Sequence, residues 1–327
     1  MNNTQDNLLS PFPWFGGKSS VADQVWGALG KVQTYIEPFF GSGAVLLNRG
    51  SPIQGTEIIN DLDGFVVNFW RATQQDPEGV ASFVLSPINE IDLLARHRWL
   101  CETTRKREFL KRMQEDPEYY DVKVAGWWVW GISAWIGSGW CTRSWNPAEN
   151  KDVSNALPSI DGIRGIHRKG HGFTKHNEDP MDRSNVRGYL QALAIRLRYI
   201  SVCCGDWSRV LLKPKPGNTK TGVFLDPPYS EGIDSDRIYP AGLKSVIESV
   251  GSWALDNGSN PNLRIVLCGY EGQYPNLLGW RILPWKARGG YGNQGEENPN
   301  CQRERLWLSP GCLEEEPSIL DILGDAD

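Results

Sequence analysis

The sequence predicts an α/β protein with a doubly wound, mostly parallel sheet. Short apolar runs recur along the chain, each ends in a polar or glycine-rich turn, and helical patterns separate several of them. Such runs are typical of parallel strands that helices cover on both faces. The strand runs are 35–36, 58–59, 199–203, 223–225 and 265–267, and the helical patterns are 44–47, 65–73, 186–198 and 243–255. Strands that alternate with helices predict a right-handed, doubly wound arrangement.

Two segments depart from this alternation. Residues 281–285 and 305–308 flank a long loop rich in glycine and asparagine, which predicts an antiparallel terminal hairpin at the sheet edge. Residues 76–186 are first helical, then aromatic, then rich in glycine, histidine, asparagine and arginine. We interpret them as the body of an inserted, mainly helical domain. The predicted division is 1–75 and 196–310 for the two halves of the sheet domain, 76–195 for the insert and 311–327 for an acidic tail.

The composition indicates a globular protein rather than a membrane or secreted one. The 327 residues include no run of about 18 apolar residues of the kind that spans a bilayer. The N-terminus has no basic region followed by an apolar segment, so no secretory signal is predicted. The seven cysteines have scattered spacing and no CxxC pair, which argues against a disulfide framework and a zinc site. We therefore expect a cytoplasmic protein without a bound metal.

The first motif is a glycine-containing turn, residues 37–43, between a predicted strand and a predicted helix. Glycines allow the backbone to turn tightly and to approach a ligand closely. The turn alone does not decide its role, because many α/β turns need glycine for shape only.

The second motif is Asn60-Asp61-Leu62-Asp63, after the next predicted strand. An acidic side chain about 20 residues beyond a glycine-rich turn is where doubly wound folds bind ribose hydroxyls. Either aspartate could instead cap the helix that is predicted to follow. Both roles can hold at once, with one aspartate in each.

The third motif is Asp226-Pro227-Pro228-Tyr229, directly after a buried apolar run. Two prolines end the strand and stiffen the turn at its carboxyl end, where α/β sheets place their ligands. The Asp226 carboxylate and the Pro227 carbonyl offer two hydrogen-bond acceptors, and Tyr229 offers a flat face for stacking. A chance turn of this composition is the alternative, and the neighbouring motifs argue against it.

Together these motifs resemble the alpha-group, or Dam-type, DNA N6-adenine methyltransferases. The similar pieces, in family order, are residues 13–18 (Pro-Trp-Phe-Gly-Gly-Lys), 37–43, 60–63, 204–207 (Cys-Gly-Asp-Trp) and 226–229. The resemblance covers about residues 11–75 and 196–310. It implies a Rossmann-like class I methyltransferase fold, with a donor-binding half at 1–75, a target-recognition insert at 76–195 and a catalytic half at 196–310.

The resemblance also implies S-adenosyl-L-methionine as the cofactor. Its methionine end would lie near the N-terminal motif and the glycine turn, its ribose at Asp61, and its adenine at Asp206 and the Trp207 amide. The other implied donor-site residues are Trp14, Gly17, Lys18, Glu37, Phe40, Gly41 and Gly43. Two of these assignments have alternatives, since Asp206 could be a turn residue and Lys18 a solvated lysine.

Catalysis is expected at Asp226, Pro227, Pro228 and Tyr229, by methylation of the exocyclic N6 of a flipped adenine. The two acceptors would bond the amino group and direct its lone pair at the methyl group, while Tyr229 stacks on the base. The alternatives are N4-cytosine methylation, a catalytically silent protein that binds the donor or DNA, and an RNA substrate. Asp226 favours adenine, because the family pattern for cytosine has serine at this position.

Double-stranded DNA is the implied partner, although the net charge is −5. Charge location matters more than the total, and one segment of the insert is locally basic. The predicted DNA-binding residues are Arg164, His167, Arg168, Lys169 and Lys175 in that segment, with Arg237 after the catalytic turn. Arginine and lysine there could contact phosphates or read guanine edges. An exposed loop without a role is the alternative. A companion restriction endonuclease and a bacterial or phage-infected host cell would fit this family.

The aromatic part of the insert departs from the family pattern. Trp128-Val129-Trp130-Gly131-Ile132 stands where Dam-type enzymes carry Tyr-Leu-Asn-Arg, so the GATC recognition sequence is not predicted. Trp127, Gly131 and Trp135 recur at helical spacing, which favours core packing over base stacking.

Overall fold

The computed structural model describes residues 8–14, 16–49, 51–136, 140–141, 165–166, 183–211, 219–228, 243–285 and 303–314. Seven of its strands form one sheet, and two short strands pair separately. The seven are β1 Thr34–Glu37, β2 Thr56–Asp61, β5 Ile200–Cys204, β6 Thr221–Leu225, β7 Leu263–Tyr270, β8 Arg281–Pro284 and β9 Glu304–Leu308. The separate pair is β3 Trp135–Ile136 with β4 Gly165–Ile166.

The sheet has the order β5-β2-β1-β6-β7-β9-β8. Its first five strands are parallel, whereas β9 runs antiparallel to both β7 and β8. The predicted mostly parallel sheet and its antiparallel terminal hairpin are therefore confirmed. Because all five parallel strands point the same way, the motifs that follow β1, β2, β5 and β6 meet at one edge.

One strand prediction was partly wrong. The run 199–203 was expected to be buried on both faces, but β5 is an edge strand with a largely half-exposed pattern. Tyr199 precedes the strand and is 82% exposed. An edge strand has a partner on one side only, so its apolar residues need less cover than those of a central strand.

The described residues form nine α-helices. They are α1 Ala22–Leu29, α2 Ala44–Asn48, α3 Gly64–Gln75, α4 Pro77–Val84, α5 Glu90–Cys101, α6 Thr103–Glu115, α7 Val122–Ala134, α8 Arg183–Leu197 and α9 Leu243–Asn257. Side-chain caps start several of them. Asp76 accepts from the Gly79 amide ahead of α4, Asn89 from Asp92 ahead of α5, and Asp121 from Val124 ahead of α7.

Two hydrophobic clusters lie on opposite faces of the sheet, because successive strand residues point to opposite sides. Tyr35 and Ile59 belong to one cluster, whereas their neighbours Ile36 and Ile58 belong to the other. The second cluster contains the buried face of α9. The first contains α1 to α3 and also the helices of the predicted insert.

The helical part of the predicted insert thus shares a core with the sheet domain. Arg71 of α3 donates to the carbonyls of Met113, Asp116 and Tyr119 at the end of α6, and to Val202 of β5. Helix α8 runs continuously across the predicted boundary at residue 195. The part of the chain that the structure describes has no helix long and apolar enough to cross a bilayer.

The tryptophans of α7, and Trp135 directly after it, pack in or against this core, as predicted. Trp128 and Trp130 are almost fully buried, and Trp135 is 7% exposed. The ring centroids of Trp128 and Phe12 lie 5.0 Å apart, and the Trp130 indole donates to the Ser86 carbonyl. Gly131 is needed for close packing, since a Cβ there would overlap the Trp140 ring.

Candidate active site

The turns that follow β1, β2 and β5 are bonded to one another at the carboxyl edge of the sheet. Asn60, at the end of β2, is 2% exposed and donates through Nδ2 to the Pro38 carbonyl at 3.0 Å and the Gly205 carbonyl at 2.9 Å. The Phe40 amide donates to the Asn60 carbonyl, and the Gly205 amide donates to the Asp61 carbonyl. One buried amide side chain therefore fixes three motif loops in place.

The two aspartates of the second motif have different roles. Asp63 caps α3, because its carboxylate accepts from the Phe65 amide at 2.8 Å. Asp61 accepts from the amides of Gly41 at 2.9 Å and Asp63 at 2.9 Å. Burial raises the pKa of the Asp61 carboxyl to about 7, and these backbone donors limit the rise. The capping role is thus settled for Asp63, and Asp61 faces the glycine turn.

The glycine turn is shaped by two residues with left-handed backbone. Gly41 has φ +49°, and a Cβ on it would lie 2.4 Å from Trp14 Nε1. Gly43 has φ +69°, and a Cβ on it would lie 2.7 Å from the Phe40 ring. The Trp70 indole also donates to the Gly41 carbonyl at 2.9 Å. Glycine is therefore required at both positions, and the Trp14 indole lies directly against the turn.

Lys18 joins the N-terminal motif to the catalytic turn. Its Nζ lies 2.9 Å from Asp226 Oδ1, and the Lys18 side chain is 3% exposed. The same ammonium donates to the Gly16 carbonyl at 2.6 Å and lies 5.3 Å from the ring centroid of Trp285. The alternative of a solvated lysine is excluded by this burial.

The Asp226 carboxylate lies directly after β6, at the carboxyl edge of the sheet. Burial raises the pKa of Asp226, and the Lys18 ammonium lowers it again by charge attraction and hydrogen bonding. A hydrogen bond with Cys268 of β7 also lowers it. The ammonium thus favours the charged form of a carboxyl group that burial shifts towards the neutral form, and the charged form can accept hydrogen bonds at both oxygens.

Glu37 is the last residue of β1, directly before the rest of the glycine turn, and is 2% exposed. Burial raises its pKa well above the ordinary value, and a hydrogen bond from the Tyr35 hydroxyl at 2.7 Å opposes the rise. Asp226 raises it further by charge repulsion. Burial therefore favours the neutral form of Glu37, and a cation bound nearby would favour its charged form.

Asp206 and Trp207 follow β5. Asp206 is exposed and caps a single 3₁₀ turn, Trp207–Val210, by accepting from the Ser208 amide at 3.0 Å. Trp207 is buried and stacks on Phe39, with ring centroids 6.0 Å apart and an interplanar angle of 24°. Asp206 is thus a turn residue, which was one of the two interpretations of the sequence.

The structure brings the N-terminal motif, the glycine turn, Asp61 and Asp226 to one edge of the sheet. Gly17 lies there as an exposed residue between Trp14 and Lys18. Pro227 is buried and Pro228 is half-buried after β6. Several predicted site residues lie outside the described residues: Tyr229, Arg164, His167, Arg168, Lys169, Lys175 and Arg237.

Sequence reasoning missed four residues at this edge: Phe39, Asn60, Cys268 and Trp285. Phe39 and Asn60 lie inside motifs that were recognised, but nothing local distinguishes their side chains from their neighbours. Cys268 and Trp285 lie on β7 and directly after β8, far from the motifs along the chain. No local signal identifies them, because their closeness to Asp226 and Lys18 depends on strand order.

Comparison with known families identifies the family of the chain. The profile of the D12 class N6 adenine-specific DNA methyltransferases matches residues 14–242, which is more than half of the chain. The chain belongs to this family. The family is named for methyl transfer to N6 of adenine in DNA, a reaction that requires a methyl donor.

A curated relative matches a shorter part of the chain. It is the DNA N-6-adenine-methyltransferase of Escherichia phage P1, which is 36% identical to this chain over 67 residues. The match covers 20% of this chain and spans only 8% of the relative's length.

Proposed function

We propose that this chain methylates the N6 amino group of adenine in double-stranded DNA, with S-adenosyl-L-methionine as the methyl donor. One observation carries the proposal. The Asp226 carboxylate, paired with Lys18, lies at the same sheet edge as the glycine turn held by Asp61 and Trp14. A donor-binding turn and an acceptor for an amino group are therefore neighbours.

The residues of the glycine turn fit this donor. Two left-handed glycines leave backbone without side chains at the carboxyl end of β1, and Asp61 presents a buried carboxylate beside them. Asp61 would bind the ribose hydroxyls, and Phe39 with Trp207 offers an aromatic surface for the adenine ring. Glu37 would take the α-amino cation, which offsets the burial of its carboxyl group.

The remaining proposed donor-site residues act through the same turn. Trp14 packs against Gly41 and covers the turn from the N-terminal side. Phe40 and Gly43 fix its shape, and Gly17 lies between Trp14 and Lys18. When bound, the sulfonium of the donor supplies an electrophilic methyl group.

The chemistry of the acceptor explains why Asp226 must be ionised. The adenine amino nitrogen is a weak nucleophile because its lone pair is conjugated with the ring. Two acceptors, the Asp226 carboxylate and the Pro227 carbonyl, can bond both amino hydrogens and direct the lone pair at the methyl group. Lys18 is a positioning residue in this scheme, because it holds Asp226 charged and oriented. Pro228 stiffens the turn, and Tyr229 would stack on the flipped base.

The experiment that tests this function changes one acceptor. Asp226→Asn places an amide donor where an acceptor is needed, so methyl transfer should fall on the order of 10²–10³-fold. Donor and DNA binding should survive, because the substitution is nearly isosteric. Tritium transfer from labelled donor reports the rate, and mass spectrometry of the nucleosides identifies the methylated base. A wild-type rate for Asp226→Asn, or N4-methylcytosine as the product, would contradict the proposal.

Tyr229→Ala separates base binding from chemistry. Loss of a stacking platform is worth roughly 1–3 kcal/mol per base, so the flipped base should become less populated. Fluorescence of 2-aminopurine at the target position should report this loss. Asp226→Asn is the matched comparison, since it should retain flipping and lose transfer.

We further propose that the basic segment of the insert binds the DNA backbone. Replacement of Arg164, Arg168 and Lys169 by alanine should weaken DNA binding and flatten its dependence on salt, because fewer counterions are released. His167, Lys175 and Arg237 are proposed to contribute to the same interface. Donor affinity should stay at the wild-type value. An unchanged salt slope in the triple variant would show that these residues do not contact phosphate.

A further inference from the structure

One side-chain cluster shares no residue with the proposed active site. It consists of His97 and Cys101 on α5 and Cys141 beyond β3. One ligand atom from each lies within 4.8 Å of the others, and all three residues are buried. The cysteine spacing did not predict this cluster, because Cys141 is far from Cys101 along the chain.

The distances in the cluster suit a tetrahedral metal ion. His97 Nε2 lies 3.6 Å from Cys101 Sγ. Zinc bonds of about 2.3 Å to sulfur and about 2.0–2.1 Å to nitrogen, at a tetrahedral angle, place the two ligand atoms about 3.5 Å apart. His97 and Cys101 are four residues apart, so α5 presents both on one face.

The orientation of each group is fixed by the protein. The Cys141 amide donates to His97 Nε2 at 3.3 Å, so this nitrogen is the unprotonated one, and a bound metal ion would take its lone pair in place of the amide. Cys141 has φ +57°, a strained conformation for a residue other than glycine. Lys106 donates to the Cys141 carbonyl at 2.7 Å and holds this backbone in place.

Charge also favours a divalent ion here. Two thiolates and one neutral imidazole around a 2+ ion give a site without net charge, which lowers the cost of burial. Zinc binding displaces the proton of each thiol, so both cysteines would bind the ion as thiolates. Thiolate is the form that binds zinc.

We propose that His97, Cys101 and Cys141 bind one Zn²⁺ ion, with solvent in the fourth position. The ion would join α5 to the segment that follows α7. The His97 ring also stacks on the Trp135 ring and lies beside the Trp140 ring, with ring centroids 5.1 Å apart in both pairs. Because Trp135 begins β3, the ion would stabilise the insert where it leaves the helical core.

Zinc analysis of the reduced, untagged chain tests the site. We expect close to one zinc per chain after dialysis against Zn²⁺, and strong loss of zinc in Cys101→Ser and Cys141→Ser. Cys203→Ser is the matched control, because Cys203 lies on β5 outside the cluster, and should keep its zinc. Co²⁺ as a spectroscopic probe should give thiolate-to-metal absorption in the wild type and the control only. Zinc content that is equal in the wild type and both cluster variants overturns the proposal.

A second measurement needs no variant and so does not depend on their folding. In the wild-type chain, removal of Zn²⁺ by a chelator should raise the alkylation of Cys101 and Cys141 selectively, and should speed proteolysis near β3. Added Zn²⁺ should reverse both effects. Alkylation unaffected by chelator and Zn²⁺, or a Cys101–Cys141 disulfide in chain that takes up no zinc, would overturn the proposal. Neither readout depends on methylation, so either proposal can fail without the other.

Discussion

Lys18 Nζ lies 2.9 Å from Asp226 Oδ1, in an ion pair between the N-terminal motif and the turn after β6. The lysine is 3% exposed and the aspartate 18%, so water screens the pair only weakly. Trp14, in the same motif, packs on Gly41 of the glycine turn. One short segment therefore contacts both halves of the proposed reaction site.

Lys18→Met should shift the pH dependence of methylation. Burial raises the pKa of Asp226, and the Lys18 ammonium is the main cause that lowers it. The pKa of Asp226 should therefore be higher in Lys18→Met. A higher pKa keeps the carboxyl group protonated to higher pH, so the acid limb of the rate profile should move upward. The rate at neutral pH should fall on the order of 10²-fold. Lys31→Met, which changes an exposed lysine, is the control. An unmoved acid limb in Lys18→Met would show that the pair does not set the charge of Asp226.

Asp61 should make donor binding dependent on pH near neutrality. Its pKa is raised to about 7 by burial, and only the carboxylate accepts hydrogen bonds from both ribose hydroxyls. Donor affinity measured by calorimetry should therefore rise as pH increases through about 7, and Asp61→Asn should remove this dependence.

The same shift has a consequence for stability. Because the folded pKa of Asp61 lies above its ordinary value of 3.8, the folded state holds the proton more tightly than the unfolded state. The tighter proton binding adds to the free energy of unfolding. This stabilisation is present in full below about pH 4 and is lost as pH rises through about 7. Urea unfolding of the donor-free chain should show the loss, and Asp61→Asn should lack it. A stability difference between the two proteins that does not vary with pH would refute this shift.

Gly41→Ala should weaken donor binding more than it weakens the fold. The new Cβ would lie 2.4 Å from Trp14 Nε1, so the indole must move away from the turn. The left-handed φ of +49° adds a backbone cost of about 1–2 kcal/mol. Gly27→Ala on α1 is the control, because a Cβ there meets nothing within 4 Å. Equal donor affinity in Gly41→Ala and Gly27→Ala would show that donor binding does not depend on the contact between Trp14 and Gly41.

Arg196→Met should destabilise the chain strongly. Arg196 makes two hydrogen bonds to the Glu57 carboxylate, at 2.7 and 2.9 Å, and both side chains are buried. Removal of the arginine leaves a buried charge without a partner, which typically costs about 3–5 kcal/mol. Arg187→Met, on the same helix, breaks a largely exposed pair with Glu78 and should cost about 0–1 kcal/mol. Urea unfolding measures both, and similar costs would contradict the distinction between buried and exposed pairs.

Several features were predictable from the sequence because they depend on neighbouring residues. Apolar runs that end in turns identified the parallel strands, and the hairpin signal identified β8 and β9. The place of Asp226 and Pro227 directly after β6 follows from consecutive residues after a buried run. The order of the motifs was sufficient to suggest the family, which the match over residues 14–242 then established.

Other features depend on which distant residues meet. The sequence allowed either aspartate of the second motif to cap α3, and the structure assigns the cap to Asp63. It allowed Lys18 to be solvated, and the structure buries it against Asp226. A residue's identity states which bonds its side chain can form, but the choice of partner is made by strand order and by packing. For that reason the residue types of the candidate site could be identified along the chain. The pairing of Lys18 with Asp226, of Trp14 with Gly41 and of Cys141 with His97 was decided only by the tertiary structure.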